Sequence, residues 1–262
     1  MKSFSHIWLE AISDILAHGD RVAPRGKMTM EMPQRTMVVD MRKPVLMSPA
    51  RSLSYRFMAA EAFWILSGDD TVAGIAPYNS RISEFSDDGE YFFGAYGPKI
   101  VNQIDYVVSK LKSDRDTRQA GLTIWRENPG TTKDVPCTVA AFFAIRNGKL
   151  NAHVFMRSSD VWLGVPYDVF NFSMLAHLIC GMLNEHAHSS DILAPGNLYL
   201  TAASSHLYET NWSDAKQCLA DQVLDQPNTP VVLWNDHVGL MAWLKELRDT
   251  KPGHELRWWE PK

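Results

Sequence analysis

An α+β fold is predicted by three features of the sequence. Helical periodicity opens the chain, two apolar runs meet at Asn147-Gly148, and Val169 to Leu183 is apolar on almost every face. No repeat, low-complexity tract or linker longer than a loop divides the 262 residues, so a single domain over 1–262 is expected.

The elements follow in order. Phe4, Ile7, Trp8, Ala11, Ile12, Ile15 and Leu16 recur at three- and four-residue steps, and Gly19 stands where such a helix stops. Met28-Thr29-Met30-Glu31-Met32 alternates as a half-buried strand does. A second helix is expected from about Arg51 to Leu66, between Ser48-Pro49 and Gly68. A third, over residues 100–111, uses Ile100, Ile104, Val107, Val108 and Leu111. Ala140–Ile145 and Leu150–Phe155 read as a hairpin, because Asn and Gly accept the positive φ of a two-residue turn. Val169–Leu183 reads as a central buried helix. Leu198–Ala202 and Pro230–Trp234 read as strands with a helix between them.

Composition narrows the function. With 45% apolar and 21% charged residues the chain is neither disordered, collagen-like nor a coiled coil. Thirty acids against 26 bases give a net charge of -4, so no broad basic field recruits nucleic acid. Three cysteines, without a CxxC or a Cys/His pair of zinc spacing, exclude a disulfide framework and a metal site and fit a reducing compartment. Residues 1–18 lack the apolar stretch of a signal peptide, and Met174–Leu183 is too short to span a bilayer. A soluble, cytoplasmic protein with no membrane partner is expected.

Three places can carry chemistry. Cys180 in the buried helix and Cys218 in the helical stretch Asp214–Ala220 read as packing residues. Cys137 follows Val135-Pro136 at a loop-to-strand junction, where it is either an ordinary strand cysteine or a presented nucleophile. A free thiol with pKa ~8.5 is mostly protonated at neutral pH, so a nucleophile there needs cationic help. The run from Arg157 to Asp168 leaves a strand, crosses a Gly/Pro turn and enters the buried helix. Its Arg, Ser and Asp residues suit a phosphate and the polar edge of a ring, although Asp168 can equally cap the helix. His206-Leu207-Tyr208, placed just after the strand Leu198–Ala202, is open to a structural or a functional reading.

In this order, Pro136-Cys137, Arg157-Ser158-x-Asp160-Val161-x-Leu163-Gly164-x-Pro166 and His206-Leu207-Tyr208 resemble thymidylate synthase and its pyrimidine hydroxymethylase relatives. Glu61-x-x-Trp64-x-Leu66-x-Gly68-Asp69, Gly94-x-Tyr96-Gly97 and Asp114-x-Asp116-x-Arg118 fall where that family has its glutamate, tyrosine and phosphate-binding arginine. The resemblance runs from about residue 4 to 212. It implies a large mixed sheet packed by helices, with one sheet face used for dimerisation. It also implies a homodimer in which Arg118 reaches the partner's phosphate site.

The chemistry the resemblance implies is attack of Cys137 on C6 of a pyrimidine nucleotide, after which C5 takes the carbon of 5,10-methylenetetrahydrofolate. Arg157 contacts phosphate and thiol, lowering the thiol pKa, and Ser158 adds a phosphate hydrogen bond. His206 and Tyr208 hold the sugar, and Asn171 joins the nucleotide-binding set. Arg25 matches a phosphate-binding arginine loosely, with Arg21 as a competitor. Glu61 is the general acid/base, also placed at the cofactor; Tyr96 orders water, and Asp160 contacts the folate.

Asp168 stands at the base-reading position, where thymidylate synthases have asparagine. A carboxyl there accepts from cytosine N4 and shares a proton with N3. Thr138 replaces a histidine, and Gln119 and Met156 replace an arginine and a glutamine. Residues 80–88 lack the tryptophan that shields the exocyclic methylene in the synthases. The expected activity is therefore hydroxymethylation of dCMP, with C5-methylation of dCMP or CMP as the alternative.

Overall fold

The chain opens with α1 (Phe4–His18), where Ser3 Oγ accepts the His6 N–H and Gly19 N–H closes the end on Ile15 O. The computed structural model describes residues 2–188, 191–220 and 237–250. Strands β1 (Asp20–Val22) and β2 (Thr29–Asp40) follow, then helices α2 (Tyr55–Leu66), α3 (Val72–Ile75) and α4 (Gly97–Ser113). The middle of the chain gives β3 (Gly121–Thr123), β4 (Thr138–Arg146), β5 (Lys149–Met156) and β6 (Ser159–Asp160). Helix α5 (Val165–Asn184), strand β7 (Ala194–Tyr208) and helices α6 (Trp212–Ala220) and α7 (His237–Asp249) complete it.

Seven strands make one mixed sheet in the order β1-β2-β7-β5-β4-β3, with β6 paired to β7. β7 runs parallel to β5 and β6, and the other pairs are antiparallel. Parallel neighbours need a crossover, which α5 supplies between β5 and β7. Asn147 and Gly148 turn with φ 52° and 69°, which brings Arg146 opposite Lys149. One sheet face buries Leu150, Ala152, Val154, Leu198 and Leu200 in the core that α5 shares. Each such leucine stabilises the fold by about 1.5–3 kcal/mol. The opposite face presents Val139, Phe142 and Phe155 at 36%, 42% and 44% exposure.

Four expectations change. α2 begins at Tyr55 rather than Arg51, because Ser54 Oγ caps the Phe57 N–H. β2 continues past Met32 to Asp40, and the ladder skips Gln34, whose φ of 51° absorbs the interruption after Pro33. β7 continues past Ala202, since β2 on one side and β6 on the other supply its hydrogen bonds, so His206 lies within a strand. Helix α7 was not expected, although Leu240, Leu244 and Leu247 repeat at helical steps and are buried. The expected strand Pro230–Trp234 lies outside the described residues. Among the described residues no helix is long and apolar enough to cross a membrane, and no His, Cys, Asp or Glu group is arranged to hold a metal ion.

Candidate active site

Cys137 sits immediately before β4, whose ladder is irregular between Thr138 and Ala140. Arg157 fixes this junction from the end of β5. Its backbone N–H donates to Cys137 O at 2.8 Å. Its guanidinium donates to Pro136 O and Val135 O, both at 2.9 Å, and lies 3.7 Å from Cys137 Sγ. Trp125 offers its ring to the same guanidinium at 5.9 Å. Arg157 pulls the thiol pKa down, but it is not the largest influence. Burial raises it and outweighs the downward pull of Arg157; Asp168 and Asp134 push up further, and Arg25 pulls down.

Tyr96, at the N-cap of α4, accepts the Thr138 N–H at 3.2 Å and stacks on Phe172 at 6.3 Å. Burial, then Asp168 and Cys137, push its phenol above the ordinary range, so it remains a neutral hydroxyl.

The run between β5 and α5 is pinned from several sides. Trp8 Nε1 donates to Val161 O at 2.6 Å, and Trp8 packs on Trp162 with centroids 5.5 Å apart. Arg51 donates to Trp162 O at 2.8 Å and covers the Trp162 ring at 4.7 Å. Asp160 Oδ1 accepts the N–H groups of Trp162 and Leu163. Val161 N–H reaches His206 O at 2.9 Å, and Ser158 Oγ lies 3.5 Å from His206 Nδ1. The edge of the His206 ring meets Tyr208 at 5.2 Å. Neither Trp8 nor Arg51 was singled out from the sequence, because their partners lie more than a hundred residues away.

Gly164 is the N-cap of α5 and leaves room for a carboxyl: a Cβ there would lie 3.1 Å from Asp168 Oδ2. Asp168 is not the helix cap. Its N–H bonds to Gly164 O, and no described group bonds its half-buried carboxyl. Burial, then the charges of Glu61 and Asp160, push that carboxyl up to about 8. Glu61, from α2, accepts Asn171 Nδ2–H at 2.8 Å. Burial pushes it up to about 7 against the opposing Asn171 hydrogen bond. Burial thus favours the protonated form of both carboxyls near neutrality, and Asp168 is the one that acts on the thiol.

The outlying arginines separate. Arg25 stands in an exposed turn with φ 54°, near enough to pull on the Cys137 thiol, whereas Arg21 covers Trp212 at 5.8 Å. The Arg118 guanidinium, exposed after α4, makes no hydrogen bond or ion pair among the described residues and does not join the Cys137 group.

A thiol beside a guanidinium, with a half-buried carboxyl acting on it, is an arrangement suited to nucleophilic and acid–base chemistry. The class so defined is an α+β protein with a candidate nucleophilic cysteine at the start of a strand. The chain belongs to the thymidylate synthase family, whose pattern matches residues 6–238. It is also similar to a deoxyuridylate hydroxymethyltransferase of Bacillus phage SP01, with 29% identity over 229 residues, which cover 78% of this chain and 57% of that protein. The match therefore spans little more than half of the relative's length.

Proposed function

We propose that this chain, as a single catalytic domain, transfers a one-carbon unit from 5,10-methylenetetrahydrofolate to C5 of dCMP. The product is 5-hydroxymethyl-dCMP, formed through a covalent bond between Cys137 and C6. The observation that carries the reading is Asp168: half-buried, bonded by no described group, and with its carboxyl pushed up to about 8. As the acid it donates to cytosine N3 while accepting an N4 hydrogen. Passing that proton to N3 as sulfur adds to C6 keeps the ring neutral and the addition favourable.

The other groups divide the work. Arg157, 3.7 Å from the sulfur, supports the thiolate and with Ser158 and Arg25 binds phosphate. His206 and Tyr208 hold the sugar, with Asn171 completing the nucleotide side of the cleft through Glu61. Glu61 relays protons at the polar edge of the ring, and the neutral Tyr96 orders the water that removes the C5 proton. Asp160 fits a pterin: its Oδ1 is occupied by backbone N–H groups, Oδ2 is bonded by no described group, and adjacent Leu163 is 54% exposed. Bound there, the folate supplies carbon at the oxidation level of formaldehyde. No indole stands in residues 80–88, so once tetrahydrofolate has left, the exocyclic carbon on C5 is open to water, which adds to give the hydroxymethyl group as the C6–sulfur bond breaks and Cys137 is released. The exposed Val139, Phe142 and Phe155 support a homodimer through the open sheet face, with Arg118 offered to the partner's phosphate site.

A second reading, hydroxymethylation of dUMP, is favoured by one property of the same carboxyl. A neutral Asp168 can also accept from uracil N3–H and donate to O4, and the phage relative is named for deoxyuridylate. Competing dCMP against dUMP with methylenetetrahydrofolate, and weighing the products, decides. The expected product is 5-hydroxymethyl-dCMP. Turnover of dUMP alone establishes the second reading, and a 5-methyl product with dihydrofolate establishes a methyltransferase. Asp168→Asn is expected to move preference towards dUMP by roughly tenfold to a hundredfold.

A further inference from the structure

Asn171 is a buried amide with its nitrogen in use and its oxygen idle. Its Nδ2–H donates to Glu61 Oε2 at 2.8 Å, and its buried Oδ1 has no hydrogen-bond partner among the described residues. A buried acceptor without a donor costs about 1–3 kcal/mol, so its retention beside the Glu61 carboxyl asks for a reason. The carboxylate it faces can only accept, which sets the amide with nitrogen towards Glu61. Once Glu61 takes a proton, it becomes a donor, and the idle Oδ1 is the acceptor it needs.

We propose that Asn171 is the positioning residue that makes Glu61 a reversible proton carrier. Its Nδ2–H holds the carboxylate, and its amide turned over presents Oδ1 to the carboxylic acid. No bond beyond the O–H of Glu61 forms or breaks; the proton comes from, and returns to, water or the substrate ring. An amide is suited to this because it is donor and acceptor on one rigid plane. The inference rests on the reading of Glu61 as the acid–base group of the proposed reaction.

The surroundings leave this control to Asn171. From α5, Asp168 and Tyr167 are the titratable groups in electrostatic contact with Glu61. From α4, Tyr96 faces Asp168 and Cys137, and Lys99 faces Asp134 and Arg126. From α7, Arg248 covers Phe63 and pairs with Asp249. No described cation bonds to Glu61, so the amide is the group that opposes its burial.

The test reads Glu61 directly. Protein labelled with carboxyl-13C glutamate is titrated by NMR, and the Glu61 resonance is identified by its loss in Glu61→Gln. Asn171→Leu is expected to raise the Glu61 midpoint by about one to two pH units, the worth of a hydrogen bond to a charged group. Asn171→Ser, which restores a hydroxyl donor and acceptor, is expected to bring it back to within about half a unit of wild type. Asn171→Asp has the same shape and no donor when ionised, and it raises the midpoint even if the leucine variant does not fold. The limb of the kcat/KM profile that reports Glu61 should move by the same amount. A midpoint unmoved in folded Asn171→Leu or Asn171→Asp overturns the role of Asn171 and leaves the proposed reaction standing. A midpoint that moves while the kcat/KM profile does not follow, or with no turnover of dCMP or dUMP, overturns the reading of Glu61, and with it the catalytic meaning of Asn171.

Discussion

The first two turns of α5 and the turns after them treat polar groups in opposite ways. Near the start, neither the Asp168 carboxyl nor the buried Asn171 oxygen has a bonding partner among the described residues. Further along, Ser173 donates to Val169 O at 2.6 Å, His177 Nε2–H to Met41 O at 3.0 Å, and Cys180 is buried with Met174, Leu175 and Ile179. The later turns hold the helix in the core, and that anchorage lets the early turns keep groups whose partners are brought by substrate. Unsatisfied polar atoms are tolerated where the fold around them is over-determined.

The sharpest way to separate the two kinds of position is through the cysteines. Cys137→Ser is expected to lower turnover by roughly 10^4-fold or more while leaving nucleotide binding intact, because a hydroxyl lacks the thiol's nucleophilicity. Radiolabelled dCMP binding beside a product assay checks both halves. Alkylation by iodoacetamide should mark Cys137 slowly at neutral pH and faster through a midpoint above 9.0, since burial raises this thiol. Rapid labelling at pH 7 would contradict the protonated state of the free site.

A second separation uses acid and base in opposite windows. Glu61 and Asp168 have folded pKa values near 7 and 8, raised from 4.5 and 3.8. Their contribution is fully present below the unfolded values and is lost as pH rises through 7 to 8. Glu61→Gln should therefore be stabilising relative to wild type at pH 9 by about 2 kcal/mol, and close to neutral at pH 4. His177 runs the other way. Its folded pKa is lowered from 6.5 to about 4, so its contribution is present above 6.5 and is lost as pH falls towards 4. His177→Gln keeps an N–H for Met41 O and should soften that acid loss by about 2 kcal/mol. Urea titrations at pH 4, 6.5 and 9 read both effects.

Much of this contrast is local in origin and so was legible in the sequence. The Asn147-Gly148 turn and the all-apolar run of α5 depend on neighbours in the chain. Cys137 at its junction, and Asp168 opening the buried helix, were placed by motif order. What the sequence hid depends on distant partners. β7 reads as five residues because Pro195 and Gly196 before them and Ser204 and Ser205 after them interrupt the pattern, yet β2 and β6 supply hydrogen bonds that extend it to 15. The raised thiol pKa was hidden for the same reason: Arg157 could be seen, and the burial that outweighs it could not.

The smallest expected effect lies in the later turns of α5, at Cys180. Its thiol is 2% exposed and pushed up to about 12 by burial alone, so it stays neutral and unreactive at any working pH. Cys180→Ser puts a hydroxyl where sulfur packed, which ordinarily costs up to about 3 kcal/mol if the hydroxyl goes unbonded. Ser173, on the same helix, shows the available remedy by donating to the carbonyl four residues back. A serine at 180 can do the same to Ala176 O, leaving mainly the loss of sulfur packing, about 1 kcal/mol. A melting temperature lowered by a few degrees with unchanged kcat is the expected result. A large loss of activity would mean that the later turns of α5 reach the cleft after all, and the division of the helix into an anchoring part and a substrate-facing part would have to be abandoned.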